Sequence, residues 1–219
     1  MKLIVTAIVL ASLAVAPASA ATIYASPSSF TLATTNPTNI NFNGILSPGA
    51  LFAAYGSLTV SGITFTTPDA GVNIDLTKAD FYPAHVYPGD FIVNSVNANA
   101  NNQVNIAFLT PVEAFGIYYG AVNGGGIGTF TLSDGTVYQD TSLPGLGVLG
   151  FAGFVSSSPI TSLSYVVTND SWIAESLVLA TPANIVSTPE PGSGSLILAA
   201  AATLLCAAAV IRRKRRARS

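Results

Sequence analysis

His85 is the only histidine of the 219-residue chain, and it lies between Asp80 and Asp90 in the stretch DFYPAHVYPGD. Those three residues carry lone pairs that can ligate a metal ion. Their spacing follows no zinc pattern, however, and a catalytic zinc takes two or three His or Cys ligands. The stretch reads as an exposed loop, with an ion or glycan contact as the alternative. A serine hydrolase needs a histidine base beside a nucleophilic serine. His85 is the sole available base, and no G-x-S-x-G elbow occurs. The single cysteine, Cys206, sits in an apolar run near the C-terminus, which removes both a cysteine nucleophile and an intramolecular disulfide. A glycosidase needs two facing carboxylates, commonly including glutamate. Between the two ends of the chain only Glu113, Glu175 and seven scattered aspartates remain. The residue inventory therefore points away from an enzyme.

Hard-oxygen chemistry is better supplied. Asp170 and Glu175, close together in sequence, are the calcium candidates, with Asp75 and Asp80 behind them. No D-x-D-x-D-G loop is present, and solvated acids that keep the domain soluble are the plainer reading. No other cofactor is expected. Sugar binding would use aromatic faces against C–H surfaces, with Asn and Asp supplying hydrogen bonds. Trp172 and Tyr87 are the first choices for such contacts, with Tyr82, Tyr118, Tyr119 and the asparagine-rich stretch 94–105 in support. The competing role for each aromatic is a place in the core.

The elements that must hold these residues are strands. Thr, Ser, Asn, Gly, Val, Ile, Phe and Tyr dominate the body, and no window before the C-terminus repeats its apolar residues at a helical period. Residues 22–34 open with a strand that Pro27 interrupts. Strands follow over 39–45 and 58–65, the latter broken at Ser61-Gly62 by a bulge or tight hairpin. Further strands are expected over 91–96, 104–109 and 112–119, the last two paired as a hairpin around Pro111. Residues 122–128 (VNGGGIG) form a Gly-rich turn without nucleotide-loop spacing. The clearest hairpin runs over 128–138 around Asp134-Gly135. Strands over 151–155, 160–168 and 172–180 close the domain. Eight to ten short strands with turn residues between them predict an all-β antiparallel two-sheet sandwich of jelly-roll type.

Both ends differ from this body. Lys2, the apolar run 3–16 and the A-x-A pattern at Ala18 and Ala20 form a secretory signal peptide over residues 1–20, with cleavage after Ala20 by signal peptidase. At the other end stand Pro189-Glu190-Pro191, an uncharged stretch of 20 residues over 192–211, and the basic cluster Arg212, Arg213, Lys214, Arg215 and Arg216 within the tail 212–219. Twenty residues span about 30 Å as a helix, so a C-terminal transmembrane helix over 194–211 with a cytoplasmic stop is expected. Residues 21–188 keep one lysine, Lys78, against nine acids, a net charge of −8. Nucleic acid binding, which needs Lys and Arg to neutralise phosphates, is excluded for this body.

The ending resembles the PEP-CTERM sorting signal of exported bacterial proteins, which combines a Pro-Glu-Pro motif, a short apolar helix and a terminal basic cluster. The likeness covers the last 31 residues. It implies an exosortase as partner, a Gram-negative host, export through the secretion machinery, and association with exopolysaccharide. The stretches 111–116 (PVEAFG), 129–138 and 153–166 are also similar to the lectin-like jelly-roll domains found in PEP-CTERM proteins.

The domain plan expected is signal peptide 1–20, β-sandwich 21–182, linker 183–188 and sorting signal 189–219. The function expected is that of a non-enzymatic exported surface or matrix protein in biofilm, structural or exopolysaccharide-binding. Before processing it would be held in the inner membrane by its C-terminal helix, and afterwards it would lie at the cell surface or outside. A secreted glycosidase-type hydrolase and a plain tail-anchored periplasmic protein are the alternatives.

Overall fold

The structure is a computed structural model that describes residues 20–68, 72–81, 87–94 and 102–183. These belong to a single compact unit within Met1–Ala183. In chain order they form β1 (Thr22–Tyr24), α1 (Pro27–Leu32), β2 (Thr34–Asn41), β3 (Phe52–Tyr55), β4 (Ser57–Val60), β5 (Ile63–Thr66), β6 (Ile74–Thr77) and β7 (Phe91–Asn94). There follow β8 (Asn102–Ala121), β9 (Gly128–Leu132), β10 (Val137–Asp140), β11 (Gly150–Val167) and β12 (Trp172–Pro182). All pairings are antiparallel, as the expected sandwich requires.

The two layers are not separate sheets, because hydrogen bonding links every described strand. The link is made by β8 and β11, which are 20 and 18 residues long. Residues 102–107 of β8 pair with 162–167 of β11, beside β9 and β5, in one layer. Residues 114–121 of β8 pair with 150–155 of β11 and with β12 in the other. Between the halves the register slips at 155/160 and 160/162, near Pro111 and Pro159. A proline lacks the N–H a ladder needs, so it is tolerated at such a bulge. The expected hairpin between 104–109 and 112–119 is therefore corrected: Pro111 bends one continuous strand and does not reverse it.

The main core fills the space between the layers. Phe130 of one layer meets Tyr119 and Phe154 of the other at ring-centroid distances of 4.8 and 5.9 Å. Phe130 also stacks on its neighbour Tyr165 at 4.3 Å. Phe42, Phe65, Phe115 and Trp172 complete this fully buried aromatic set.

The break at Ser61-Gly62 is a two-residue hairpin turn between β4 and β5, with φ of 49° and 79°. Both values lie where a type I′ turn needs them. The stretch opened by Pro27 holds a helix where an interrupted strand was expected. Ser26 is its N-cap, accepting from Ser29 N at 3.3 Å, and Pro27 stands at the first turn. Helix α1 exists to place Phe30 over the outer face of the second layer, against Ala114, Phe151 and Val178.

One part of the expected fold is overturned. Among the described residues no helix is long and apolar enough to cross a membrane, and the only helix among them, α1, has six residues. Among the described residues the fold is thus an antiparallel β-sandwich with no membrane-spanning helix; the run 194–211 lies outside them.

Candidate functional site

Strands β3, β6 and β7 form the end of the second layer, with β3 at its edge. Alternation along β3 turns Ala53 and Tyr55 toward the main core and leaves Phe52 and Ala54 on the outer face. Register places Phe52 opposite Thr77 and then Phe91, and Ala54 opposite Asp75 and then Val93. Toward the middle of the layer this outer face is covered, because Phe91, Val93 and Ile173 pack with Tyr87, Val122, Leu146 and Leu149. The cover does not reach β3, and Phe52 remains 56% exposed.

Phe52 is braced from the side. Phe81 meets it edge-on, with ring centroids 5.9 Å apart and planes at 71°. The backbone beneath is pinned where Lys78 N donates to the Leu51 carbonyl at 2.9 Å. Leu51 is itself exposed. Lys78 Nζ pairs with the buried carboxylate of Asp90 at 3.3 Å, and Asp90 also accepts from Ala79 N at 3.2 Å. The turn carrying Phe81 is thereby fixed to β7.

Asp75 stands on the same face, diagonal to Phe52 across the β3–β6 ladder. Diagonal neighbours on one sheet face lie about 7–8 Å apart. Among the described residues no group donates to the Asp75 carboxylate. Partial burial, unrelieved by any hydrogen bond, raises its pKa above the ordinary 3.8. An exposed, braced aromatic ring and an unsatisfied carboxylate thus share one open edge. The ring offers an apolar face and the carboxylate accepts hydroxyl hydrogen bonds at the reach of a sugar ring.

The residues picked out from sequence go elsewhere. Trp172 is 0% exposed and Tyr87 is 2% exposed, so neither presents a face to a ligand. The expectation of glycan contacts at these two is corrected. Trp172 is a core plug whose backbone N–H donates to Asn94 Oδ1 at 3.0 Å, and Tyr87 packs on Phe91 at 4.5 Å. Tyr119 is buried too, its hydroxyl donating to Asp140 Oδ2 at 2.7 Å. Tyr118 is half-buried beside Phe151.

Asp170 and Glu175 do not share a site. Asp170 is buried and accepts from Asn123 N at 2.8 Å, Asn123 Nδ2 at 3.0 Å, Gly124 N at 3.0 Å and Ser171 N at 2.7 Å. Its carboxylate is saturated by the Gly-rich loop it holds, which leaves no lone pair free for calcium. Glu175 occupies the bulge in β12 between Ala174 and Ser176, accepts from the Ser176 hydroxyl, and lies against Gly89 and Asn43. No group of three or more His, Cys, Asp or Glu residues arranged for a metal occurs among the described residues. Tyr82, His85, Ala18, Pro189, Glu190, Pro191 and the basic residues 212–216 lie outside the described residues, as do 95–101 of the asparagine-rich stretch. Asp80 is exposed and Ala20 marks the exposed start of the described chain.

Sequence reading passed over Phe52 and Phe81. The stretch LFAAY has no polar–apolar alternation, since its outward positions carry Phe and Ala, so period-2 patterning does not mark it as a strand. Its only signal was an aromatic beside Gly49 and Gly56.

No family model and no curated protein matches the chain. Among solved structures, a family 29 carbohydrate-binding module complexed with mannohexaose is similar at 9% identity, covering 68% of this chain and 94% of its own, with a TM-score of 0.39. A family 29 carbohydrate-binding module from Piromyces equi is similar at 7% identity over 67% and 92%, with a TM-score of 0.36. A family two carbohydrate esterase from Cellvibrio japonicus follows at 6% identity over 56% and 36%, with a TM-score of 0.31. At these values no site is transferred to this chain.

Proposed function

We propose that this chain is an exported, non-enzymatic surface protein whose β-sandwich binds a neutral polysaccharide at the β3 edge. The observation that carries the reading is Phe52, an aromatic ring 56% exposed on a braced sheet edge with the unpaired Asp75 carboxylate on the same face. Aromatic faces of this kind pack against sugar C–H surfaces, while a carboxylate fixes orientation through hydroxyl groups. The net charge of −8 over residues 21–188 disfavours an anionic polymer and leaves neutral chains as the substrate class. Binding without turnover is supported by the state of the other acids. Asp90, Asp134, Asp140 and Asp170 each accept hydrogen bonds that hold a turn or a strand end.

Export is proposed from the two ends of the sequence: a leader cleaved after Ala20, and a PEP-CTERM-like ending processed by an exosortase near Pro189–Pro191. The protein would then serve in the matrix or envelope of a Gram-negative cell.

Affinity gel electrophoresis against neutral glucans, mannans and galactans tests the binding. Retardation by at least one polymer, lost in Phe52→Ala, is the expected result; equal mobility in every gel would sink it. Mass spectrometry of the surface form tests the sorting. Residues 212–218 should be gone, and their retention would leave no role for an exosortase.

A further inference from the structure

Ala21 is the residue that cleavage after Ala20 would leave first, and its surroundings are unusual for a strand start. Its side chain is buried in the main core, and its backbone N–H donates to Thr136 Oγ1 at 2.7 Å. Thr136 is only 5% exposed. Behind it stands Asp134, whose Oδ1 accepts from Thr136 N at 2.9 Å and whose Oδ2 accepts from the Ser156 hydroxyl at 3.0 Å. The Thr136 hydroxyl also bonds this carboxylate. A polar relay therefore runs from the Ala21 nitrogen through one buried hydroxyl to a carboxylate. On the other side of the nitrogen, exposed Ala20 sits over a depression of about 330 Å³ lined by Glu113, Val155, Ser156 and Ser157.

We infer that this is a built site for the chain's own N-terminal ammonium group: freeing Ala21 from the leader creates a cation that docks between Thr136, Asp134 and Glu113. The inference rests on the export reading only for how the amine is made. In that step water adds across the Ala20–Ala21 bond, the leader leaves with the new carboxylate, and the proton lost by that carboxyl ends on the Ala21 amine. An amide has one N–H for Thr136, whereas an ammonium has three. One keeps the Thr136 bond, and the other two turn into the space vacated by Ala20, toward Glu113 and Ser156.

Electrostatics favours the charged product. The titratable groups facing the site are Asp134 from the β9–β10 turn and Glu113 from β8; β11 contributes only serines. Lys78, the sole lysine or arginine of residues 21–188, is committed to Asp90. Burial pushes the Asp134 carboxyl up, but hydrogen bonds from Thr136, Ser156 and its own backbone outweigh this and hold it below the ordinary range. It is thus charged whenever the amine is. A neighbouring anion raises the amine pKa above its free value of about 7.7–8.0. With the folded pKa raised, the added stability is fully present below the free value and fades as pH rises through the folded one.

The test compares two chains in mild detergent, one running from Ala21 to Ser219 and released from a fusion partner without a scar, the other beginning at Ala20. At pH 7 the Ala21 chain should melt about 2–4 °C higher, the shift expected for one extra charge-assisted interaction in a domain of this size. The gap should close as pH rises toward 10. Asp134→Asn and Thr136→Val should each abolish it, and Thr136→Ser should restore it. Equal melting at pH 7 would overturn the docking. Should either variant fail to fold, NMR titration of a 13C-labelled Ala21 decides the matter: an amine pKa above 8 supports the site, and one at or below the free value overturns it. N-terminal sequencing of the exported protein separates the two premises. A start other than Ala21 removes the processing step, while the two purified chains still report on the site itself.

Discussion

Phe30 lies directly on Gly153: a Cβ at position 153 would come within 2.5 Å of the Phe30 ring, and one at Gly116 would come equally close to Phe151. The two glycines face each other across the β8–β11 ladder. Together they form the flat floor on which the helix-borne ring and Phe151 rest, 5.7 Å between centroids. The helix, its capping serine and both glycines are one packing device.

Gly153→Ala should therefore cost about 1–3 kcal/mol, the range for overpacking a tight site. Urea unfolding measures it. Phe30→Ala in the same chain should relieve part of that cost, because the ring that collides is gone, so the double variant should fall short of additivity.

Asp170 makes four accepted hydrogen bonds, three of them to the 123–124 loop. Asp170→Ala leaves the buried Ser171 N–H unpaired, at about 1–3 kcal/mol, and releases three partly buried donors of the 123–124 loop that water can satisfy. Hydrogen exchange at Asn123 and Gly124 should accelerate far more than at Phe154, which places the damage in the loop. Adding or chelating calcium should change neither chain, because the carboxylate has no free lone pair.

Phe52 and Asp75, the proposed sugar contacts, should behave in the opposite manner. Phe52→Ala and Asp75→Asn remove nothing from the core, so neither should lower the melting temperature, while affinity for the retained polymer falls about tenfold or more. That fall equals roughly 1.4 kcal/mol, within reach of one lost aromatic contact. Asp75→Asn adds a pH signature. The Asp75 carboxyl pKa is raised by burial, so the ionised group costs stability at neutral pH, and the cost vanishes below the ordinary 3.8. The Asn variant should be slightly the more stable at pH 7 and equal to the parent near pH 3.

Alkaline titration should sort the tyrosines. Burial, then the Asp140 and Tyr138 hydrogen bonds, push the Tyr119 hydroxyl far above 10.0; burial and nearby Asp140 and Asp170 do the same for Tyr165. Neither should ionise in the folded protein. The absorbance of these two rings at 295 nm should rise only with unfolding. Stability is kept below pH 10 and lost above it, since the unfolded chain alone releases those protons there.

The Asp134-Gly135 hairpin and the Ser61-Gly62 turn could be read from sequence because each rests on local chemistry: turn residues that accept positive φ, between alternating segments. The long strands β8 and β11 could not, because a proline inside a strand looks the same as one between strands until the partner ladder is seen. Helix α1, standing where an interrupted strand was expected, is too short for a helical period to register. Phe52 and Trp172 show the limit for sites. Both are aromatics near turns, and only the register of their strands decides that one faces solvent and the other the core. The transmembrane helix expected beyond the domain rested on an uncharged run and the basic cluster 212–216 after it, and among the described residues no helix is long and apolar enough to cross a membrane.

The last strand leaves the domain under mechanical protection. From residues 176 to 180 β12 lies between β8 and β2, and its pairing with β2 continues to Pro182↔Thr34. Ala183 N is tied to the Ala33 carbonyl at 2.9 Å. A pull on the chain beyond Ala183 loads both flanking ladders along the strand axis, so their bonds resist in parallel and do not peel one by one. Survival under such tension is set by the unfolding rate more than by equilibrium stability. A domain held through its C-terminal end against flow would be gripped at a strand flanked on both sides, with Phe52 on the far edge of the sheet.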